Sequence, residues 1–243
     1  MVLSGIILLI AGIVLFFVQR HQNQKVFSLK SARPMSAAAL SETAGAVADE
    51  IGGGSWRDYV KLWGEVVVDR PLHSEHKGEA CVHYVSKVIR EYETTEITQT
   101  DSGTSKTERR RKSETITNNQ RSIPFWLRDR TGTVKVNLEG AAIETLSILD
   151  EFRPQHSGNT LGYRYQESVL PVGRNVLIVG AVSDLTGEVI IGKPVQSAHK
   201  YIISLRDEEA LTATISRHAK ISFYAMLGCL GLGIVVLILG ILD

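Results

Sequence analysis

The stretch Ile123–Leu138, IPFWLRDRTGTVKVNL, decides how the rest of the chain is read. Phe125 and Leu127 alternate with Trp126 and Arg128, and Asp129-Arg130-Thr131-Gly132 then turns the chain. Val134, Val136 and Leu138 return, alternating with Lys135 and Asn137. Period-two alternation on both sides of a Gly-terminated turn predicts a β-hairpin with one apolar and one wet face. The apolar face is expected in the core of a globular β domain. The wet face, Trp126, Arg128 and Lys135, is the first candidate for a partner-binding surface.

Working outward, further strands are predicted on the same grounds. Asp58–Asp69 alternates Val60, Leu62, Val66 and Val68 against charged residues, with Gly64 marking a bulge or bend. Ala80–Tyr92 fits a helical register as well as a strand, and its β-branched and aromatic content favours strand. Asn175–Ser183, NVLIVGAVS, is apolar on both faces and reads as a buried strand. Asp184-Leu185-Thr186-Gly187 repeats the Asp-x-Thr-Gly turn before Glu188–Ile191 returns, and Tyr201–Leu205 forms a last strand. Ala141–Phe152 reads as a linker or short helix. A helix is expected after Pro34, because Leu40, Ala44, Val47 and Ile51 fall at helical spacing and Gly52-Gly53-Gly54 stops it. Its acidic polar face favours packing on the domain over lying on lipid.

The two ends are apolar. Val2–Val18 carries no charge, and its basic residues (Arg20, Lys25, Lys30, Arg33) follow the run rather than precede it, so a retained anchor fits better than a signal peptide. Ile221–Leu242 is a second uncharged span. Arg20 and Lys25 after the first span, with Arg217, His218 and Lys220 before the second, place the central domain on the cytosolic side of a bacterial membrane. Ser204-x-x-Asp207 resembles a capping box opening a helix that runs through Leu211, Ile215 and Ala219 into the second span. Ala225, Cys229, Gly233 and Gly240, with Gly5 and Gly12, form small-residue faces through which the spans pack on each other or on a second copy.

Thr94–Asn119 is polar and predicts a long solvated hairpin with a turn-rich tip at Thr98–Ser105. Its basic cluster, Lys106, Arg109, Arg110, Arg111 and Lys112, is a candidate contact for anionic lipid headgroups, each cation near such a surface being worth about 1 kcal/mol.

Signals of catalysis or cofactor binding are weak. With 27 Lys+Arg against 26 Asp+Glu, net charge gives no argument for nucleic acid or an acidic substrate. Cys81 and Cys229 are the only cysteines, too few for a Cys-rich zinc site, and Cys229 lies in an apolar span. Gly187–Pro194 matches P-loop spacing but ends in Pro where Mg²⁺ needs a Ser or Thr hydroxyl. The Asp-x-Thr-Gly turns carry one residue more than the aspartic-protease signature, so Asx-turn chemistry explains them better. His73-x-x-His76 finds no third ligand at recognisable spacing, and Cys81 reads as a packed thiol. No catalytic residue, metal site or cofactor is expected.

Three segments together carry a family resemblance: Gly64-Glu-Val with HSEHKGEACVHY (residues 73–84), Ile123–Val136, and GYRYQESVLPVGRNVLIVG (residues 162–180). They resemble the GIDE, or beside-a-membrane, domain of mitochondrial (MULAN-type) and chloroplast-envelope ubiquitin ligases, over roughly residues 55–242. The resemblance implies a β domain flanked by membrane spans. Family ligases carry a C-terminal zinc-binding RING; the sequence as it stands leads us to expect a RING-less, bacterial-type member, in which ligase activity does not transfer. The hairpin and the later Gly-containing strand also resemble an OB barrel.

The expected fold class is therefore β-rich α+β: a small OB-like, partly open β-barrel between two transmembrane helices. The expected organisation is span one (2–18), a juxtamembrane linker and amphipathic helix (19–54), the GIDE-like β domain (55–206), a connecting helix (207–220) and span two (221–242). The expected function is a non-enzymatic module binding a protein or lipid partner beside the membrane. The alternatives are a component of a ligase-like system with a separate catalytic partner, and a single-stranded nucleic-acid binder using Trp126, Arg128 and Lys135.

Overall fold

The structure is a computed structural model that describes residues 2–54, 56–99, 105–184 and 187–242, with the side chains at 51, 96–99, 105, 106, 156, 241 and 242 outside that description. In chain order its elements are α1 (Val2–Ser31), β1 (Arg33–Pro34), α2 (Ala37–Ile51), β2 (Arg57–Val67), β3 (Leu72–His73), β4 (Ala80–Gln99) and β5 (Ser105–Ser122). They continue with β6 (Phe125–Arg128), β7 (Thr133–Val136), β8 (Ala142–Ile143), β9 (Leu146–Ser157), β10 (Thr160–Pro171), β11 (Asn175–Ser183), β12 (Ile190–Gly192), β13 (Ile202–Ser204) and α3 (Glu208–Leu242). The fold is β-rich α+β. One sheet runs β1-β2-β6-β7-β12-β11-β13-β8, and β2 also pairs with β11, so β2, β6, β7, β12 and β11 close into a five-stranded barrel. The second sheet runs β3-β4-β10-β9, with β5 paired to β4.

The chain divides into two compact units. The first comprises Met1–Gly64, Arg128–Ala142 and Asn175–Asp243. Its central strand is β11, which pairs antiparallel with β12 (Ala181 opposite Gly192) and with β13 (Leu177 opposite Ser204). Val176, Ile178, Val179 and Val182 are fully buried, as the unbroken apolar run predicts. Leu29, Ala32, Tyr59, Leu177, Val179, Ile202 and Ile215 form one buried cluster, so the ends of both long helices are part of this unit's core.

Both long helices are apolar enough to cross a membrane. They pack on each other through glycine: a Cβ added at Gly12 would lie 2.6 Å from Leu230 Cδ2, and one at Gly5 3.1 Å from the Gly233 carbonyl. These small residues thus serve the contact between the two spans, where close backbone approach replaces the hydrophobic drive that lipid removes. Helix α3 is continuous from Glu208 to Leu242. Its cap is shifted, however. Asp207 Oδ1 accepts from the Ala210 N–H at 2.8 Å, while Ser204 Oγ accepts from Arg206 N–H at 3.1 Å, so Asp207 caps the helix and Ser204 shapes the approach.

The second unit comprises Glu65–Leu127 and Ile143–Arg174. The second sheet is antiparallel throughout: β4 pairs with β3, β5 and β10, and β10 with β9. The long hairpin predicted for Thr94–Asn119 is present as β4 and β5, paired from His83/Ser122 to Gln99/Ser105; much of the expected tip lies outside the described residues. The expected linker or short helix at Ala141–Phe152 is instead strand, β8 and then β9. The physical reason is a bulge. Glu167 faces Leu149 and Ser168 faces Ser147, so Ile148 is an inserted residue that breaks the alternation. Pro154 is tolerated because β9 is an edge strand.

Candidate interaction surface

The decisive hairpin has the two faces its sequence requires. Phe125, Leu127, Val134 and Val136 are buried, while Trp126 and Lys135 are half-buried and Arg128 is exposed. Lys135 Nζ forms an ion pair with Glu188 at 2.7 Å, so this cation is already engaged on the wet face. The turn between the strands does more than reverse the chain. Asp129 Oδ1 accepts from the Thr131 N–H (2.7 Å), the Thr131 hydroxyl (2.7 Å) and the Gly132 N–H (3.0 Å). Its Oδ2 accepts from the Ala37 N–H at 2.8 Å, and Thr131 Oγ1 accepts from Ala38 N–H at 3.0 Å. The turn therefore caps the N-terminus of α2, alongside Ser36, whose Oγ accepts from Ala39 N–H at 3.3 Å.

The second Asp-x-Thr-Gly turn holds the segment after that helix. Asp184, nearly fully buried, accepts from Gly54 N–H (2.9 Å) and Trp56 N–H (3.1 Å) and pairs with Arg57 at 3.2 Å; its Leu185 and Thr186 lie outside the described residues. Burial pushes both aspartates' pKa values up, yet the amide donors outweigh it and hold both carboxyls below the usual range. Carboxylates saturated by backbone N–H groups are fixed anions, not proton-transfer groups.

The second unit contains a third such carboxylate. Glu167 is buried in β10 and accepts from the Ser74 hydroxyl (3.0 Å), His76 N–H (2.9 Å) and Lys77 N–H (2.9 Å). Burial raises its pKa, and these bonds more than reverse the effect. Cys81 is buried; desolvation, then the charges of Glu167 and Glu79, push its thiol up to about 11, the opposite of a reactive thiolate. His83 shares a 2.8 Å hydrogen bond with Ser122 Oγ and is held neutral chiefly by burial. His76 sets its ring edge-on against Tyr165 at 5.4 Å, and among the described residues no group of three or more His, Cys, Asp or Glu is placed to hold a metal.

The basic cluster lies on β5, with Arg109, Arg110, Arg111 and Lys112 exposed and facing Thr95, Thr94, Glu93 and Tyr92 of β4. The Lys106 side chain is outside the described residues. Sequence reasoning missed a second surface nearby. Register places Arg153, Tyr163, Arg90 and Glu114 in one row across β9, β10, β4 and β5, and Glu151, Tyr165 and Val88 in the next. Arg153 lies over the Tyr165 ring at 4.6 Å and Arg90 over Tyr92 at 5.0 Å. Tyr and Arg are the residue types that carry most binding energy at interfaces. The alternation Tyr163-Arg164-Tyr165 was the legible signal, since it puts both tyrosines on one face of a strand.

The family model GIDE, described as E3 Ubiquitin ligase, matches residues 93–238, more than half of the chain. The chain belongs to the GIDE family. No curated protein and no solved structure matches it. The GIDE match begins late in β4 and runs through the basic strand, the decisive hairpin, β9 to β13 and most of α3. It thus takes in Arg153, Tyr163, Tyr165 and Glu114 of the Tyr/Arg rows and the turns at Asp129 and Asp184, while Val88, Arg90 and Tyr92 lie before it. In this GIDE chain the end of α1 is held against the β strands. His199 stacks on Tyr59 at 4.1 Å, Tyr59 donates to the Lys200 carbonyl at 2.6 Å, and Ser28 of α1 accepts from Lys200 N–H at 2.9 Å. Lys61 reaches both the Leu29 carbonyl and Glu208, joining β2 to α1 and α3.

Proposed function

We propose that this GIDE-family chain is a membrane-tethered, non-enzymatic module that presents a β surface to a protein or lipid partner beside the bilayer. One observation carries the reading. The groups best suited to chemistry, Asp129, Asp184, Glu167, Cys81 and His83, are each spent on structure: amide-saturated carboxylates, a buried high-pKa thiol and a buried neutral imidazole. Trp126, Arg128 and Lys135, the basic residues of β5, and the Tyr/Arg rows form the partner-facing surfaces. Residues 2–18 and 221–242 lie in the membrane, 19–54 and 207–220 connect them to the 55–206 domain, and Arg20, Lys25, Arg217 and Lys220 hold that domain on the cytosolic side of a bacterial membrane. A second copy is a further candidate partner for the spans.

The family description favours one other reading, a component of a ubiquitin-ligase-like system that works with a catalytic partner. Reconstituted full-length protein incubated with a ubiquitin-charged conjugating enzyme separates the two. Discharge at the background rate supports the module; accelerated discharge by the chain alone overturns it. Photocrosslinkers at Trp126 and Tyr163 in native membranes then test the surfaces, and crosslinks to nothing but bulk lipid and abundant bystanders at both positions would sink them as partner sites. Orientation is read by a Ser113→Cys thiol, which a membrane-impermeant reagent should reach from the cytosolic side.

A further inference from the structure

We propose that the outer edge of β5 takes an acidic segment of a partner protein as an added β-strand. The inference rests on the module reading and specifies one surface and one class of partner. Strand β5 is 18 residues long, and among the described residues its ladder runs only to β4. From Thr107 to Ser122 every side chain but Glu108 is exposed, a rim of roughly 50 Å at 3.3 Å per residue. An edge of that length is a template for another strand unless something guards it.

Charge is the guard, and it is selective. Ser105–Ser122 contains six basic residues and two acidic ones. Like charges repel a second copy of the same edge, whereas an acidic strand gains by pairing. Arg110 bonds Glu108 at 3.5 Å and Arg111 lies 3.9 Å from Glu93, and both arginines remain exposed.

The distribution of the cations distinguishes a peptide from a membrane. Arg109, Arg110, Arg111 and Lys112 are consecutive, so strand periodicity sends Arg109 and Arg111 to one face and Arg110 and Lys112 to the other. A planar headgroup surface can meet only one of those faces. A strand lying alongside at about 4.8 Å offers its own alternate side chains to both. The flat run also has a defined end. Val88 faces Thr117 and Ile89 faces Thr115, which leaves Ile116, half-exposed, as a bulge that bends the edge.

The test uses the full-length protein in phosphatidylcholine nanodiscs. The probes are a fluorescent peptide of about eight alternating Glu and Val residues, the length of a typical strand, and the same peptide N-methylated at alternate residues. Saturable binding of the first and at least about tenfold weaker binding of the second are expected, because methylation removes the ladder donors but not the charge. The double variants Arg109→Glu/Arg111→Glu and Arg110→Glu/Lys112→Glu should each weaken binding, with unfolding midpoints unchanged because these side chains are exposed. Equal binding of both peptides would overturn strand addition. So would saturable binding to phosphatidylserine vesicles that depends on only one of the two pairs, which would assign a membrane surface instead. If neither peptide binds while Trp126 or Tyr163 still crosslinks a protein, the strand site falls and the module reading stands.

Discussion

Replacing Asp129 by Ala tests whether the decisive hairpin also holds helix α2. The carboxylate accepts four hydrogen bonds, three within its own turn and one from the first residue of α2. Loss of a helix N-cap costs about 1 kcal/mol. Donors left behind cost about 1–3 kcal/mol when buried, but Asp129 is only half-buried and water reaches part of the turn. The expected loss is therefore about 2–3 kcal/mol, or roughly 5–10 °C in Tm for a protein of this size. Asp129→Asn should fall between, since one amide oxygen can still serve the turn while its NH₂ meets the Ala37 N–H donor. Near-UV circular dichroism during thermal unfolding, in full-length protein in nanodiscs, gives the comparison.

The pH dependence sharpens this test. The folded pKa of Asp129 lies below its unfolded value of about 3.9. Its contribution is then fully present above that unfolded value and is lost as pH falls through the folded one. The gap between wild type and Asp129→Ala should stay constant down to roughly pH 5 and close below about pH 4. A Tm within about 1 °C of wild type at neutral pH, or a gap that widens on acidification, would refute the clamp.

Three other outcomes follow from the same geometry. Glu167→Gln leaves at least one of the Ser74, His76 and Lys77 donors unpaired in a buried site, so it should cost roughly 2–4 kcal/mol and speed amide exchange in residues 74–78; unchanged exchange there would remove Glu167 as the organiser of that loop. Cys81, with its pKa raised to about 11, should react with maleimide at neutral pH only on unfolding, and prompt labelling of the native protein would contradict its burial. Gly180→Ala would place a Cβ 2.8 Å from the Tyr201 ring and 2.9 Å from Ile191, an overpacking cost of about 1–3 kcal/mol, whereas Gly192→Ala, with nothing within 4 Å, should be close to neutral in the same melt.

What was legible in the sequence was whatever one strand or helix encodes by itself. Phe125 and Leu127 on β6, and Val134 and Val136 on β7, announced a core face because each pair is spaced by two on an unbroken strand, and β11 announced full burial by having no polar face. Strand β9 stayed hidden because the bulge at Ile148 sets Ile148 and Leu149 side by side, which erases the period that a strand needs to be recognised. The α3 cap was misplaced by one motif unit because Ser204 and Asp207 are both competent, and only the chain path decides which oxygen meets an amide.

The turns show where local reading ends. Asx-turn chemistry identified Asp129 and Asp184 as turn residues, and their own backbones bear that out: Gly132 and Gly187 each close a turn begun at the aspartate. Their second role depends on partners 92 and 130 positions away, which no window of sequence contains. The candidate surface divides in the same way. Trp126, Arg128 and Lys135 could be named from one hairpin, but Lys135 is held by Glu188 from another strand. The Tyr/Arg rows exist only once β9, β10, β4 and β5 are set in register. A binding face on a sheet is a product of register, so single strands can nominate its residues but only the assembled sheet says which of them stand together.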